Sequence, residues 1–120
     1  MIGVYLALVL SVYDGDTFKA RVPVWPGVET VTSVRVIGID TPEIKGKCVS
    51  ERAAALAAKG RLTALLASGR VEISAVKEDV YTGRVDAVVT VDGKPVADTM
   101  IAEGYARPYD GKTARAGWCP

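Results

Sequence analysis

Apolar and polar residues alternate through much of this chain, and where the alternation stops the spacing turns helical. In "MIGVYLALVLSVY" both alternating sets, Val4, Leu6, Leu8 and Leu10 against Tyr5, Ala7 and Val9, are mostly apolar, which predicts a strand covered on both faces. "DTFKARVPV", residues 16–24, predicts a second strand with Phe18, Ala20 and Val22 on one face. "PVWPG" then turns the chain, because Pro26 fixes its own φ and biases Trp25 toward an extended conformation. "TVTSVRVIGI", residues 30–39, is β-branched and alternating, a third strand. Three strands with short links predict an antiparallel meander, since parallel pairing needs a crossover.

"CVSERAAALAAKGRLTALLASG" is rich in alanine and leucine, and Ala53, Leu56, Ala57, Gly60 and Leu65 recur near helical spacing. Ser50 or Cys48 lies near its start and Gly69 is a plausible C-cap. Gly60 marks either a close approach to the sheet or a tolerated weakness. "RVEISAV" and "GRVDAVVTV" are strands four and five, and "PVADTMIAEG" is a short helix opened by Pro95 and stopped by Gly104. The expected order is β-β-β-α-β-β-α in one domain over residues 1–120, with 111–120 a short irregular tail. That order predicts a mainly β fold with helices: a five-stranded, antiparallel Greek-key barrel of OB type.

Length and composition agree with such a domain. A chain of 120 residues buries roughly two thirds of its unfolded surface, and 49% apolar with 24% charged residues is ordinary for a globular protein. The net charge of +1 neither requires nor excludes a nucleic-acid partner, because a basic groove can form on a nearly neutral protein. With no histidine, hydrolytic chemistry must run on carboxylates, water and cations. The apolar start lacks a basic flank and is too short to span a bilayer; it reads as a strand, with an uncleaved or trimmed export signal as the other reading. Cys48 and Cys119 cannot make a structural zinc site alone. Whether they pair is open; a disulfide between them would add about 4 kcal/mol in the loop-entropy model.

Two acidic turns carry the candidate chemistry. "VYDGDTF", residues 12–18, and "RVIGIDTPE", residues 35–43, each end a strand with an Asp-Thr pair. Asp and Gly are turn formers in their own right, so both loops have a purely structural reading. Converging at one end of the sheet, Asp16 and Asp40 with a backbone carbonyl would make a hard oxygen site suited to Ca²⁺. Arg35 stands in an otherwise apolar strand and needs an anionic partner: a phosphate held by its fork, or simply Glu72 or Asp79. Glu43 and Arg84 are either a proton acceptor and a second cation or solvated surface.

"DGDT" at 14–17, "RVIGIDTPE" at 35–43, an Ala-rich helix, "YTGR" at 81–84 and "EGYARPY" at 103–109, in this order, resemble the staphylococcal nuclease, or thermonuclease-like, family. The resemblance runs from residue 4 to about residue 110. It implies an OB-type barrel and calcium-dependent cleavage of DNA and RNA that leaves 5′-hydroxyl and 3′-phosphate ends with little sequence preference. By the same resemblance Asp16 and Asp40 are the calcium carboxylates, Thr41 gives its backbone carbonyl, and Asp14 supports the loop from behind. Arg35 and Arg84 resemble the phosphate-binding arginines and Glu43 the carboxylate that orients or deprotonates the attacking water. Tyr81, and more loosely Tyr105 and Tyr109, resemble nucleotide-binding aromatics.

Three departures stand against the pattern. Thr82 lengthens the usual Tyr-Gly-Arg, the final helix is truncated, and the cysteines are foreign, so that a Cys48–Cys119 link would tie the tail beside the first helix. The rival reading is an inactive OB-fold module that binds single-stranded nucleic acid without cutting it. The remaining expectations are a monomer and no membrane association. Location is open: secreted or periplasmic if a signal has been removed, otherwise cytoplasmic, of phage or plasmid origin.

Overall fold

The computed structural model describes residues 3–120, so Met1 and Ile2 of the apolar start lie outside the described residues. Its strands are β1 (Val4–Leu6), β2 (Leu8–Asp14), β3 (Thr17–Trp25), β4 (Val28–Val36), β5 (Ile39–Asp40), β6 (Val71–Glu78), β7 (Arg84–Val91), β8 (Lys94–Pro95) and β9 (Arg107–Pro108). Two helices, α1 (Val49–Ala67) and α2 (Val96–Ala102), complete the order. Among the described residues, no helix is long and apolar enough to cross a membrane.

The fold is mixed α/β, and the expected closed antiparallel barrel of five strands is corrected on two points. Seven strands form one sheet whose ladder runs β1-β6-β7-β4-β3-β2, with β8 added on β7, and this path does not close into a barrel. Its two ends are consecutive in the chain. Ala7 interrupts the expected first strand and gives its N–H to Val71 O at 2.9 Å, so the chain leaves β6 and joins β3 instead of continuing as one strand. Second, β4 and β7 pair in parallel, with Ser33 opposite Arg84 and Arg35 opposite Asp86. A separate two-stranded ladder joins β5 to β9, placing Asp40 opposite Arg107.

The alternation of β3 does what its sequence predicts: Phe18, Ala20 and Val22 are buried. They share one core with Val34 and Val36 of β4, Ile73 of β6, Ala87 and Val89 of β7, Leu62 of α1 and Met100 of α2. The apolar start is different. Val4, Leu8 and Leu10 are 64%, 43% and 46% exposed, because β1 and β2 are the ends of the ladder and have one covered face. On α1 the buried face is Glu51, Ala55, Ala58, Leu62 and Leu66, spaced by three and four residues, while Leu56 points outward. A side chain at Gly60 would meet nothing within 4 Å, so that glycine is a tolerated weakness and not a packing contact. The C-cap is Ser68, and Pro95 precedes α2 as its N-cap.

Gly15 answers for the middle of the first acidic turn. A methyl group there would stand 2.7 Å from Ala58 Cβ and 3.0 Å from Thr41 Cγ2, so only glycine lets the turn close on α1 and the second acidic loop. Gly15→Ala is expected to destabilise the protein by about 1–3 kcal/mol, since both obstructing groups are buried. Urea unfolding measures this, and a loss under about 0.5 kcal/mol would mean that the turn does not need the close approach.

Candidate active site

β3 and β4 pair so that Thr17 faces Arg35, which sets the first acidic turn beside the end of β4. Val36 N–H bonds Asp16 O at 2.8 Å and locks that arrangement. Because β4 and β7 run parallel, Ser33, Arg35, Arg84 and Asp86 fall on one face of the sheet. Arg35 and Arg84 therefore project to the same side from adjacent strands. The longer Tyr81-Thr82-Gly83-Arg84 turn is absorbed: Gly83 takes φ +83°, its carbonyl accepts from Ser33 N and Thr32 Oγ1, and Arg84 opens β7.

These elements border a cleft of about 420 Å³ lined by Asp14, Asp16, Thr41, Glu43, Arg35 and Arg84, with Tyr81 and Arg115 at its wall. Asp40 is 3% exposed and is covered by the C-terminal tail. Tyr105 is half-buried against the core, while Tyr109 binds Gly38 O through its N–H and Thr113 O through its hydroxyl. Neither borders this cleft. Tyr81 is 65% exposed, with the Arg84 guanidinium 4.8 Å from its ring centre.

The charges are tightly arranged. Asp14 Oδ1 accepts from Asp16 N at 3.1 Å, and burial together with the Asp16 charge pushes the Asp14 carboxyl up to about 7. Asp16 accepts from Thr17 Oγ1 at 2.9 Å and lies 3.7 Å from Arg35 Nη2. Neither expected structural partner of Arg35 takes it: Glu72 pairs with Arg70, and Asp79 grips Arg84 through Nε at 3.0 Å and Nη2 at 3.1 Å. Burial opposes the charge on Arg84, yet the Asp79 carboxylate outweighs it and raises the guanidinium pKa.

Asp86, beside both arginines, is raised to about 6 by burial and by Asp79, with which it shares a hydrogen bond. Burial also opposes ionisation of Asp79, but the Asp86 proton and Arg84 hold its carboxyl well below the usual range. A folded-state pKa above the unfolded value of 3.8 means that Asp86 stabilises the fold at low pH and loses that contribution as pH rises through about 6. Asp86→Asn, whose amide can replace the shared proton, is therefore expected to gain on the parent between pH 4 and pH 7, by on the order of 1 kcal/mol given the partial exposure of Asp86. Parallel curves of Tm against pH for the two proteins would refute the shared proton.

Two functional positions escaped the sequence. Glu51, on the buried face of α1, accepts from Glu43 N at 3.1 Å and Lys47 N at 3.2 Å, and so holds the loop that presents Glu43. Gly46 is required by the same contact, since a Cβ there would lie 2.5 Å from the Glu51 carboxylate. The available signal was an acid in the first helical turn. The other is Arg115, one of three cations in the tail with Arg107 and Lys112, which nothing in the sequence marks out. Its Nη2 lies 2.6 Å from Asp40 Oδ1 and 3.3 Å from Thr41 O, and its Nη1 lies 2.6 Å from Glu43 Oε1. Burial opposes its charge, but hydrogen bonds to Glu43 and Asp40 raise its pKa.

The donor set fits a hard divalent cation. Asp16 and Asp40 are buried carboxylates, the Thr41 carbonyl lies beside Asp40, and the buried Thr41 Oγ1 has no hydrogen-bond partner among the described residues. All donors are oxygens, and the carboxylates of Asp40 and Glu43 already attract a cation, the guanidinium of Arg115. Cys48 and Cys119 form a disulfide with Cα atoms 6.0 Å apart, beside Glu51.

A mixed α/β domain with acids and arginines around one polar cleft has the equipment of an enzyme acting on phosphate esters. The chain belongs to the staphylococcal nuclease family: the model described as "Staphylococcal nuclease homologue" matches residues 33–116. Asp40, Thr41 and Glu43 echo calcium-site positions of that family. The chain is 39% identical over 99 residues to the SPbeta prophage-derived endonuclease YokF of Bacillus subtilis, covering 78% of this chain and 31% of that protein. It is 37% identical over 99 residues to endonuclease YncB of the same organism, covering 78% of this chain and 43% of that protein. It thus spans less than half the length of either relative.

Proposed function

We propose that this domain is a calcium-dependent nuclease that hydrolyses phosphodiester bonds of DNA and RNA with little sequence preference, leaving 3′-phosphate and 5′-hydroxyl ends. The observation that carries this reading is the parallel β4–β7 pair, which sends Arg35 and Arg84 from one sheet face into the cleft that also holds Asp16, Thr41 and Glu43. Two guanidinium forks match a phosphate with two non-bridging oxygens, and they contact the backbone and not the bases, so sequence preference is weak.

Arg35 and Arg84 would hold the phosphate and neutralise charge as the phosphorus becomes five-coordinate. Their second partners, Asp16 and Asp79, keep the forks oriented before substrate arrives. Glu43 would orient the attacking water and take its proton, directly or through a second water; its side chain is 56% exposed, open to the cleft. The P–O5′ bond breaks, the 5′-oxygen leaves with a proton from solvent, and the phosphate stays on the 3′ side. Held by Asp16, Asp40 and the Thr41 carbonyl, calcium would supply Lewis-acid stabilisation of a non-bridging oxygen. Asp14 would brace the first turn, and Tyr81 would stack a base of a single strand or a frayed duplex.

The test is cleavage of a fluorescent single-stranded DNA by the purified domain with Ca²⁺, against chelator and against Asp16→Ala/Glu43→Ala. Calcium-dependent cleavage lost in the double variant is expected. Binding without cleavage by a folded protein would replace this reading with that of a nucleic-acid-binding module.

A further inference from the structure

The C-terminal tail is built onto the cleft by a chain of specific contacts. Asp110 Oδ1 accepts from Lys112 N, Thr113 N and Thr113 Oγ1, and the Tyr109 hydroxyl donates to Thr113 O at 2.8 Å, which together form the turn leading to Arg115. Beyond it, Arg107 donates to Gly117 O at 2.9 Å and lays its guanidinium 3.7 Å from the Trp118 ring centre. The Cys119–Cys48 disulfide then ties the end of the tail to the start of α1.

Both oxygens of Asp40 are taken by this strap, Oδ1 by Arg115 at 2.6 Å and Oδ2 by the Trp118 indole N–H at 3.1 Å. Arg115 also reaches Thr41 O and Glu43 Oε1. We propose that Arg115 is an intramolecular stand-in for the divalent cation: the disulfide-tethered strap occupies Asp40, Thr41 O and Glu43, and calcium must displace its guanidinium to bind. This rests on reading the cleft as a divalent-cation site, and it adds the regulation of that site.

The competition follows from geometry. Calcium binds oxygen at about 2.3–2.6 Å, the range in which the Arg115 nitrogen already stands from Asp40 Oδ1. Guanidinium and dication cannot share that carboxylate face without strong repulsion at short range. The tether makes the arginine a persistent competitor, since a group held on a short loop acts at an effective concentration near millimolar. Apparent calcium affinity is then lowered by the fraction of molecules in which the strap is seated. Displacing Arg115 also frees Glu43, so one movement would open the metal site and release the group that handles the attacking water.

Calorimetric titration of the metal-free, disulfide-bonded chain with calcium chloride tests this without any turnover. Arg115→Ala is expected to bind calcium tenfold or more tightly than the parent, and Arg115→Gln, which is shorter but still able to hydrogen-bond and loses the charge, is expected to do the same. Asp40→Ala should lose binding. In chelator, both Arg115 variants should melt below the parent, and calcium should raise their Tm by more than it raises the parent's. Equal or weaker calcium affinity in both Arg115 variants, with binding still lost in Asp40→Ala, would overturn the stand-in while leaving the metal site. Absence of calcium binding in every form would overturn the metal site and the stand-in together. Arg115→Gln decides the matter if Arg115→Ala does not fold.

Discussion

Arg35→Ala and Arg84→Ala should each lower the turnover of DNA cleavage by roughly 100-fold or more, the scale seen when a preorganised donor to a developing anion is removed. The two side chains are set by a single feature, the parallel register that places Arg84 opposite Ser33 and Asp86 opposite Arg35. Each is already oriented by an acid, Arg35 by Asp16 at 3.7 Å and Arg84 by Asp79 at 3.0 Å. An arginine that merely neutralised its acid would, when removed, lower stability and leave the chemistry of the folded fraction intact. The loss should therefore fall on kcat at saturating substrate, with circular dichroism confirming the fold, and lysine at either position should restore only part of it because it lacks the planar fork. Near-normal turnover in either alanine variant would remove that arginine from the mechanism.

Replacing both cysteines, as Cys48→Ser/Cys119→Ser, should cost the oxidised protein about 2–4 kcal/mol of unfolding free energy. For a domain of this size that corresponds to a fall in Tm of roughly 10 °C. The disulfide closes a loop with a sequence separation of 71, so most of its effect lies in the unfolded chain, where it removes conformations that the open chain regains. Locally it joins the residue preceding α1 to the residue after Trp118, and Cys119 Sγ lies 3.5 Å from the buried Glu51 carboxylate. Calorimetry of the double variant beside the oxidised parent measures the effect. A difference below about 2 °C would mean that the link removes little conformational freedom from the unfolded chain.

Much of this could be read along the chain. The strands at Phe18, Ala20 and Val22 and at Val71 to Val76, the long helix, and the Asp16-Thr17 turn were legible because alternation, helix propensity and turn chemistry act over a few residues, whereas Asp40 closes the short strand β5. The same short range explains the misreadings. An apolar run shows that a segment is hydrophobic and not how many neighbours it will have, so Leu8 and Leu10 were expected inside and stand at the end of the ladder. On α1 alanines surround the helix, and the sheet, not the pattern of alanines, selected Ala55 and Ala58 as the buried ones.

Family membership, the acidic turns and the arginines with them, followed from the sequence alone, because those residues occur as short motifs in a fixed order. Tertiary structure alone decided that the sheet stays open, that β4 meets β7 in parallel, that Asp79 pairs with Arg84 and not with Arg35, and that Arg115 lies on Asp40 and Glu43. Apart from the Asp79–Arg84 pair, five residues apart, each of these joins groups far apart in the chain. Electrostatic pairing acts over a few ångströms of space, and which charges come within that distance is set by the whole packed chain.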